Sequence, residues 1–279
     1  MEITENLNKR LKAALEEDRA HEDITSRLLI PEKTRGKAEM IAQEEGILCG
    51  LDVARRCFQL MDSNIDFKTD YRDGERVKPG DVIARIQGPM RMMLGGERLA
   101  LNLLCRLSGI STLTFRFAEL AKPLNVRIYD TRKTTPLWRD LEKYAVRRGG
   151  GYNHRFSLAG ACFIKDNHID SCGGLKNALE SLAAAEEIDV PVIVEARTRE
   201  EVEIAASYSV DVILLDNMPP SLISDICRNT VTEAEFEVSG GITLENIRDY
   251  ASTGVSRISV GTLTHSLKAL DISMKHLTQ

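Results

Sequence analysis

No stretch of the 279-residue chain approaches the roughly 20 consecutive apolar residues that a helical membrane span requires. The N-terminus, MEITENLNKRLKAALEED, lacks the apolar core of a secretion signal. None of the six cysteines (Cys49, Cys57, Cys105, Cys162, Cys172 and Cys227) forms a C-x-x-C pair, so no structural zinc site is expected. Without a secretion signal a disulfide framework is not expected either, and the thiols are read as reduced and mostly buried. An excess of positive charge is also missing. The formal net charge is -5, which points to neither nucleic acid nor a membrane surface as a partner. Sharp repeats and low-complexity segments are absent. What remains is 43% hydrophobic and 28% charged residues, the composition of a globular cytoplasmic protein with a core of its own.

Helical spacing of Ile3, Leu7, Leu11, Ala14 and Leu15 predicts a first helix over residues 3–18. Strand candidates follow in KAEMIAQEEGILCG, IDFKTDY and DVIARIQG, separated by turn residues such as Asp73-Gly74 and Pro79-Gly80. A long apolar helical pattern then runs from Gly95 to Ala121. Residues 1–108 are read as an N-terminal α+β domain and 109–279 as a second domain. From residue 125 short β-branched runs (VRIYD, CFIKD, PVIVEA, DVILLD, FEVSG, RISVG) alternate with amphipathic helices expected at 137–148, 175–186, 199–207, 221–228 and 244–251. Thr198 and Glu201 have the spacing of a capping box. Such alternation with short connections means right-handed parallel βα units.

An open sheet and a barrel both fit that pattern, and the strand ends separate them. After VRIY comes Asp130-Thr131-Arg132-Lys133; after CFI comes Lys165-Asp166-Asn167-His168. Glu195, Asp216, Ser239-Gly240-Gly241 and Gly261 end the other four runs. In a barrel all these ends converge on one face, where catalytic groups sit. In an open sheet they spread along an edge. A G-x-G-x-x-G fingerprint is missing after the first strand, and the barrel is favoured.

Residues 127–166 hold nine Lys/Arg against four Asp/Glu within an acidic chain. Arg139, Lys143, Arg147 and Arg148 read as ordinary solvated helix charges. Arg132, Lys133, Arg155 and Lys165 lie instead at strand ends or beside the loop Gly149-Gly150-Gly151. Cations gathered at one barrel mouth repel one another unless an anion shares the site, so a polyanionic substrate is inferred. The glycines of Ser239-Gly240-Gly241 and Gly261 allow backbone N–H groups to approach a phosphate at the last two strands. Glu195 and Asp216, set among cations, either neutralise arginines or hold Mg²⁺ with a pyrophosphate, directly or through water. His154 and His168 flank the basic loop, and His154 adjoins Arg155.

Together DTRKTTP (130–136), EKYAVRRGGGYNHR (142–155), IKDNHI (164–169), LLDNM (214–218), SGGITLENI (239–247) and ISVGTLTHSLKALDIS (258–273) resemble the quinolinate phosphoribosyltransferase family, also called nicotinate-nucleotide pyrophosphorylase (carboxylating). GERLALNLLCRLSGI (96–110) is similar to that family's helix before the barrel. The resemblance implies an N-terminal α/β sandwich domain followed by an incomplete, seven-stranded α/β barrel, with the last helix packing back on the N-terminal domain. It implies Mg²⁺-dependent transfer of phosphoribosyl from phosphoribosyl pyrophosphate to quinolinate, with decarboxylation, in NAD synthesis. It also implies a homodimer in which Arg98 completes the neighbour's site. By motif, Arg132, His154, Arg155 and Lys165 match the quinolinate pocket. Lys133, Glu195 and Asp216 match residues around ribose, pyrophosphate and metal, and Ser239, Gly240, Gly241, Gly261, Thr264 and His265 match the 5′-phosphate end.

Three positions depart from the family pattern: Leu137 where glycine is common, Gly160 where an acidic residue is common, and Ile193 where the strand often carries a carboxylate. Period-two alternation puts Ile193 on the same face as Glu195, so one interior carboxylate is lost. Three alternatives remain at this level. A molybdenum-linked paralogue with another substrate tends to lack the KDNH segment, which is intact at Lys165–His168. A phosphosugar aldolase would use Lys133 or Lys165 as a Schiff-base nucleophile. A metabolite-binding barrel without activity needs no leaving-group metal site.

Overall fold

The computed structural model describes residues 1–185 and 188–277. In chain order its elements are α1 (Glu5–Glu17), α2 (Ile24–Leu29), β1 (Arg35–Ala42), β2 (Gly46–Ile47), α3 (Leu51–Met61), β3 (Asp66–Lys68), β4 (Arg76–Val77), β5 (Val82–Pro89) and α4 (Met90–Ala121). There follow β6 (Arg127–Tyr129), α5 (Arg139–Arg148), β7 (Cys162–Ile164), α6 (Asp166–Ser171), α7 (Leu175–Ala183), β8 (Val192–Ala196) and α8 (Arg199–Ala206). The chain continues with β9 (Val212–Asp216), α9 (Pro220–Asn229), β10 (Glu235–Ser239), α10 (Ile247–Ala251), β11 (Arg257–Ser259), α11 (Thr262–His265) and β12 (Ile272–Leu277). The last residue expected of the helix over 175–186, Glu186, lies outside the described residues.

Two compact units emerge. The first comprises Met1–Leu113, Thr135–Gly150 and the segment from Leu267 onward. Its antiparallel sheet has the order β12-β1-β5-β3. Along β1 the alternation places Ala38, Met40 and Ala42 in the core, with Val53, Ala54, Cys57 and Phe58 of α3 and Ile83 and Ile86 of β5 also fully or nearly fully buried. Thr4 caps α1 by accepting from the Leu7 amide at 3.2 Å, and the helix buries Leu7, Leu11 and Leu15 along one stripe. Burial pushes the Cys57 thiol up to about 12, and all six cysteines are unpaired.

The expected last helix is instead a strand. β12 pairs with β1 from Lys37↔Leu277 to Ala42↔Ile272 and covers an edge that would otherwise present unpaired amides and carbonyls. Its approach depends on Gly109 of α4, where a Cβ would stand 2.4 Å from the Lys268 carbonyl oxygen. A second correction concerns Lys143, read as a solvated helix charge; it is fully buried in α5, as is its neighbour Glu142. Glu142 accepts from Arg106 Nη2 at 2.7 Å and from the Thr135 amide at 3.1 Å.

The second unit, Thr114–Thr134 with Gly151–Ser266, holds the parallel sheet β6-β11-β10-β9-β8-β7. Six strands form this ladder where seven were expected. The seventh position is taken by the stretch through Tyr152, which makes a single parallel bridge to Tyr129. From there His154 reaches the other edge, its ring 5.3 Å from that of Tyr129 and 6.1 Å from that of Phe163 in β7. An incomplete barrel results, with a seam closed by rings in place of a hydrogen-bonded strand pair. Among the described residues no helix is long and apolar enough to cross a membrane.

Candidate active site

Parallel register brings the carboxyl ends of the second unit's strands to one face. Ser239 stands opposite Asp216 and Glu195 opposite Leu214. There they surround a cavity of about 780 Å³, within the range of small-molecule sites. Twelve of the fourteen site residues named from sequence line it: Arg132, Lys133, His154, Arg155, Lys165, Glu195, Asp216, Ser239, Gly240, Gly241, Gly261 and His265. Two do not. Arg98 belongs to α4 in the first unit. Thr264 is fully buried, and its hydroxyl donates to the Lys133 carbonyl at 2.7 Å, so it supports the β6 loop from behind.

The charges are arranged in two groups. Lys165 Nζ lies 2.6 Å from Oε2 of Glu195, which is only 8% exposed. Arg155 donates from Nη1 to the carbonyls of Ala161 (2.8 Å) and Leu158 (3.4 Å). Burial, and then repulsion from Arg132, push the Arg155 pKa down. Asp216 accepts from Nδ2 of Asn217 at 2.7 Å, and Asn217 is held in the left-handed region at φ 53 by its amide bond to the Ser239 carbonyl. Gly240, at φ +100, must be glycine on two counts: its φ, and the 2.1 Å that a Cβ would leave to Asn217 Oδ1. Beside it Gly241, at φ +63, has open space where a side chain would stand, as close approach of a phosphate requires.

A buried polar cluster underlies this mouth. Glu237 of β10, with no exposure, has Oε1 2.5 Å from Nε2 of His154 and accepts from the Ser259 hydroxyl. Arg257 Nε lies 2.9 Å from its other oxygen. Burial alone raises the carboxyl's pKa. The hydrogen bond and charge of His154, then Arg257 and Ser259, overcome that and hold it below the ordinary value. Asp130, also without exposure, accepts from the His154 amide at 2.8 Å and from Nδ2 of Asn153 at 2.6 Å, which fixes the loop that presents His154 and Arg155.

Sequence reasoning did not single out Phe163, Asn217, Asp130 or Glu237. Phe163 and Glu237 sit within strand runs that read as core, and Asn217 and Asp130 adjoin residues already chosen. His168, which flanks the basic loop, accepts at Nδ1 from the Lys165 amide at 3.0 Å and caps α6. The capping box at Thr198 is half formed: its hydroxyl accepts from the Glu201 amide, while the Glu201 carboxylate turns to the Arg197 amide. Among the described residues no group of three or more His, Cys, Asp or Glu could hold a metal. Glu195 and Asp216 remain a pair of hard oxygen donors on the cavity wall, which suits an ion that keeps waters and phosphate oxygens in its shell.

Fold and cavity define a class: an α/β barrel with a cavity lined by cations at the carboxyl ends of its strands. The sequence matches the family models described as quinolinate phosphoribosyl transferase, N-terminal domain, over residues 23–108, and C-terminal domain, over residues 110–275. The chain belongs to the quinolinate phosphoribosyltransferase family. It is 43% identical over 268 residues to the probable nicotinate-nucleotide pyrophosphorylase (carboxylating) of Bacillus subtilis (strain 168), covering 96% of this chain and 92% of that one. With the nicotinate-nucleotide pyrophosphorylase (carboxylating) of Mycobacterium leprae it shares 38% identity over 273 residues, 95% of each chain. The crystal structure of NadC from Streptococcus pyogenes superposes with a TM-score of 0.93 at 38% identity and covers 100% of both chains.

Proposed function

We propose that the chain transfers the phosphoribosyl group of phosphoribosyl pyrophosphate to the ring nitrogen of quinolinate. Pyrophosphate and carbon dioxide leave, and nicotinate mononucleotide is formed for NAD synthesis. The observation that carries this reading is the lining of one cavity: the cations Arg132, Lys133, Arg155 and Lys165 with His154, the carboxylates Glu195 and Asp216, and the glycines that end the last two strands. Two anions of different shape are thereby accommodated, a planar dicarboxylate and a phosphorylated sugar.

Arg132, His154, Arg155 and Lys165 bind the two carboxylates and aim the ring nitrogen at the sugar's anomeric carbon. Arg98 from a second copy of the chain completes this pocket in a homodimer. The nitrogen lone pair forms the new C–N bond as the bond to pyrophosphate breaks, and Lys133 takes up charge on the departing group. Glu195 and Asp216 stabilise the positive character that the sugar carbon gains as these bonds exchange. The same two carboxylates would hold Mg²⁺, directly or through water, and the bound ion supplies charge neutralisation to the pyrophosphate. The pyridinium then stabilises the electron pair left on the adjacent ring carbon when carbon dioxide departs, until that carbon takes a proton. Orientation of two bound reactants supplies much of the acceleration.

Replacing Arg132 with alanine tests the pocket assignment. Loss of a charge-assisted contact to a carboxylate is expected to lower kcat/KM for quinolinate about 100-fold. Steady-state kinetics that return a near-normal value would refute the assignment.

A further inference from the structure

Phe163 stands among the groups just assigned to the dicarboxylate. It lies on the inner face of β7 and lines the cavity. Lys165 Nζ is 4.4 Å and Arg155 Cζ 5.1 Å from its ring centroid, and the His154 ring lies 6.1 Å away, inclined by only 24°. Behind it the ring packs on the buried cluster of Ala161, Ile193, Val212 and Leu214, which leaves it little room to turn aside.

The physical problem at this spot is how to hold a cation without neutralising it. A partly buried guanidinium is costly unless something stabilises it, yet a carboxylate partner would cancel the charge that an anionic ligand needs. Lys165 has such a partner in Glu195. Arg155 has none among the described residues: its contacts are the Ala161 and Leu158 carbonyls and the Phe163 face. An aromatic face attracts a cation through its quadrupole and leaves the net charge intact. We propose that Phe163 is a positioning and specificity residue that holds Arg155 by its π face, so that the charge of Arg155 stays available to a ring carrying two adjacent carboxylates. This rests on the quinolinate reading only for the identity of the substrate; the ligand chemistry, an aromatic 1,2-dicarboxylate, can be probed without turnover.

The test substitutes phenylalanines with one, two and three ring fluorines at position 163, which weaken the quadrupole step by step at nearly constant shape, together with Phe163→Leu. Calorimetry with benzene-1,2-dicarboxylate reads affinity, and thermal melts check that each variant is folded. The dissociation constant is expected to rise in steps, reaching about tenfold for the trifluoro and leucine variants. In quinolinate turnover the same loss is expected in KM for quinolinate, with kcat and KM for phosphoribosyl pyrophosphate within about twofold. A flat response across the fluorinated series, or a wild-type chain that does not bind the dicarboxylate, overturns the proposal. Stepwise weakening in a protein that fails to turn over quinolinate would leave it standing and remove the functional reading instead.

Discussion

At the scale of single residues, Leu137 shows a local rule broken at a measurable cost. Its φ of 67 lies in the left-handed region that favours glycine, and its side chain is 77% exposed. A bulky residue thus stands in a backbone conformation that suits glycine. Left-handed backbone costs an L-residue about 1 kcal/mol or more, and the exposed side chain recovers little by burial. Leu137→Gly is expected to raise stability by about 1 kcal/mol, less the extra chain entropy of glycine, as read by denaturant unfolding. Unchanged or lowered stability would show that the leucine makes a contact that compensates. Residues such as Lys165, Glu195 and Asp216 were legible because they are polar groups at the ends of β-branched runs. Phe163 was not, because an aromatic inside a strand reads as core, and only its neighbours across the seam reveal a cavity face.

At the scale of elements, β10, β11 and the His154 loop share one carboxylate. Glu237 is held below its ordinary value of 4.5 despite full burial, so its contribution to stability is present above 4.5 and is lost as pH falls through the lower folded-state value. Glu237→Gln removes that contribution and leaves Arg257 without its buried partner, which is expected to cost about 3 kcal/mol at neutral pH. The gap in Tm between wild type and variant should narrow as pH is lowered below 4.5; a gap independent of pH would mean that the carboxyl is not ionised in the fold. Period and turn chemistry made most elements readable, including the six parallel strands and the first helix. The end of the chain was misread because its strand character comes from the open edge of β1, some 230 positions earlier, and no local pattern announces that partner. The burial of Lys143 was hidden for a similar reason: a lysine on an amphipathic helix looks solvated until the whole fold surrounds it.

At the scale of the whole molecule, the second unit's barrel divides its interior by strand. β7, β8 and β9 contribute Phe163, Ile193, Val212 and Leu214, an apolar wall. β6, β10 and β11 contribute Arg127, Glu235, Glu237, Arg257 and Ser259, an ion-paired wall in which Arg257 also lies 4.0 Å over the Tyr129 ring. The cavity opens at the strand ends, where Lys165, Glu195 and Asp216 bring charge to the side of β7, β8 and β9. Arg98 is the part of the proposed site that this geometry does not supply; it was reached only through the family resemblance, because a lone arginine on a helix carries no signal of its own. The most direct measurement of the proposed activity is an assay with Mg²⁺ and phosphoribosyl pyrophosphate that compares quinolinate with nicotinate as acceptor. Nicotinate mononucleotide and carbon dioxide should appear in equal amounts from quinolinate, with little product from nicotinate. Product from nicotinate alone, or none from quinolinate, would contradict the proposed reaction.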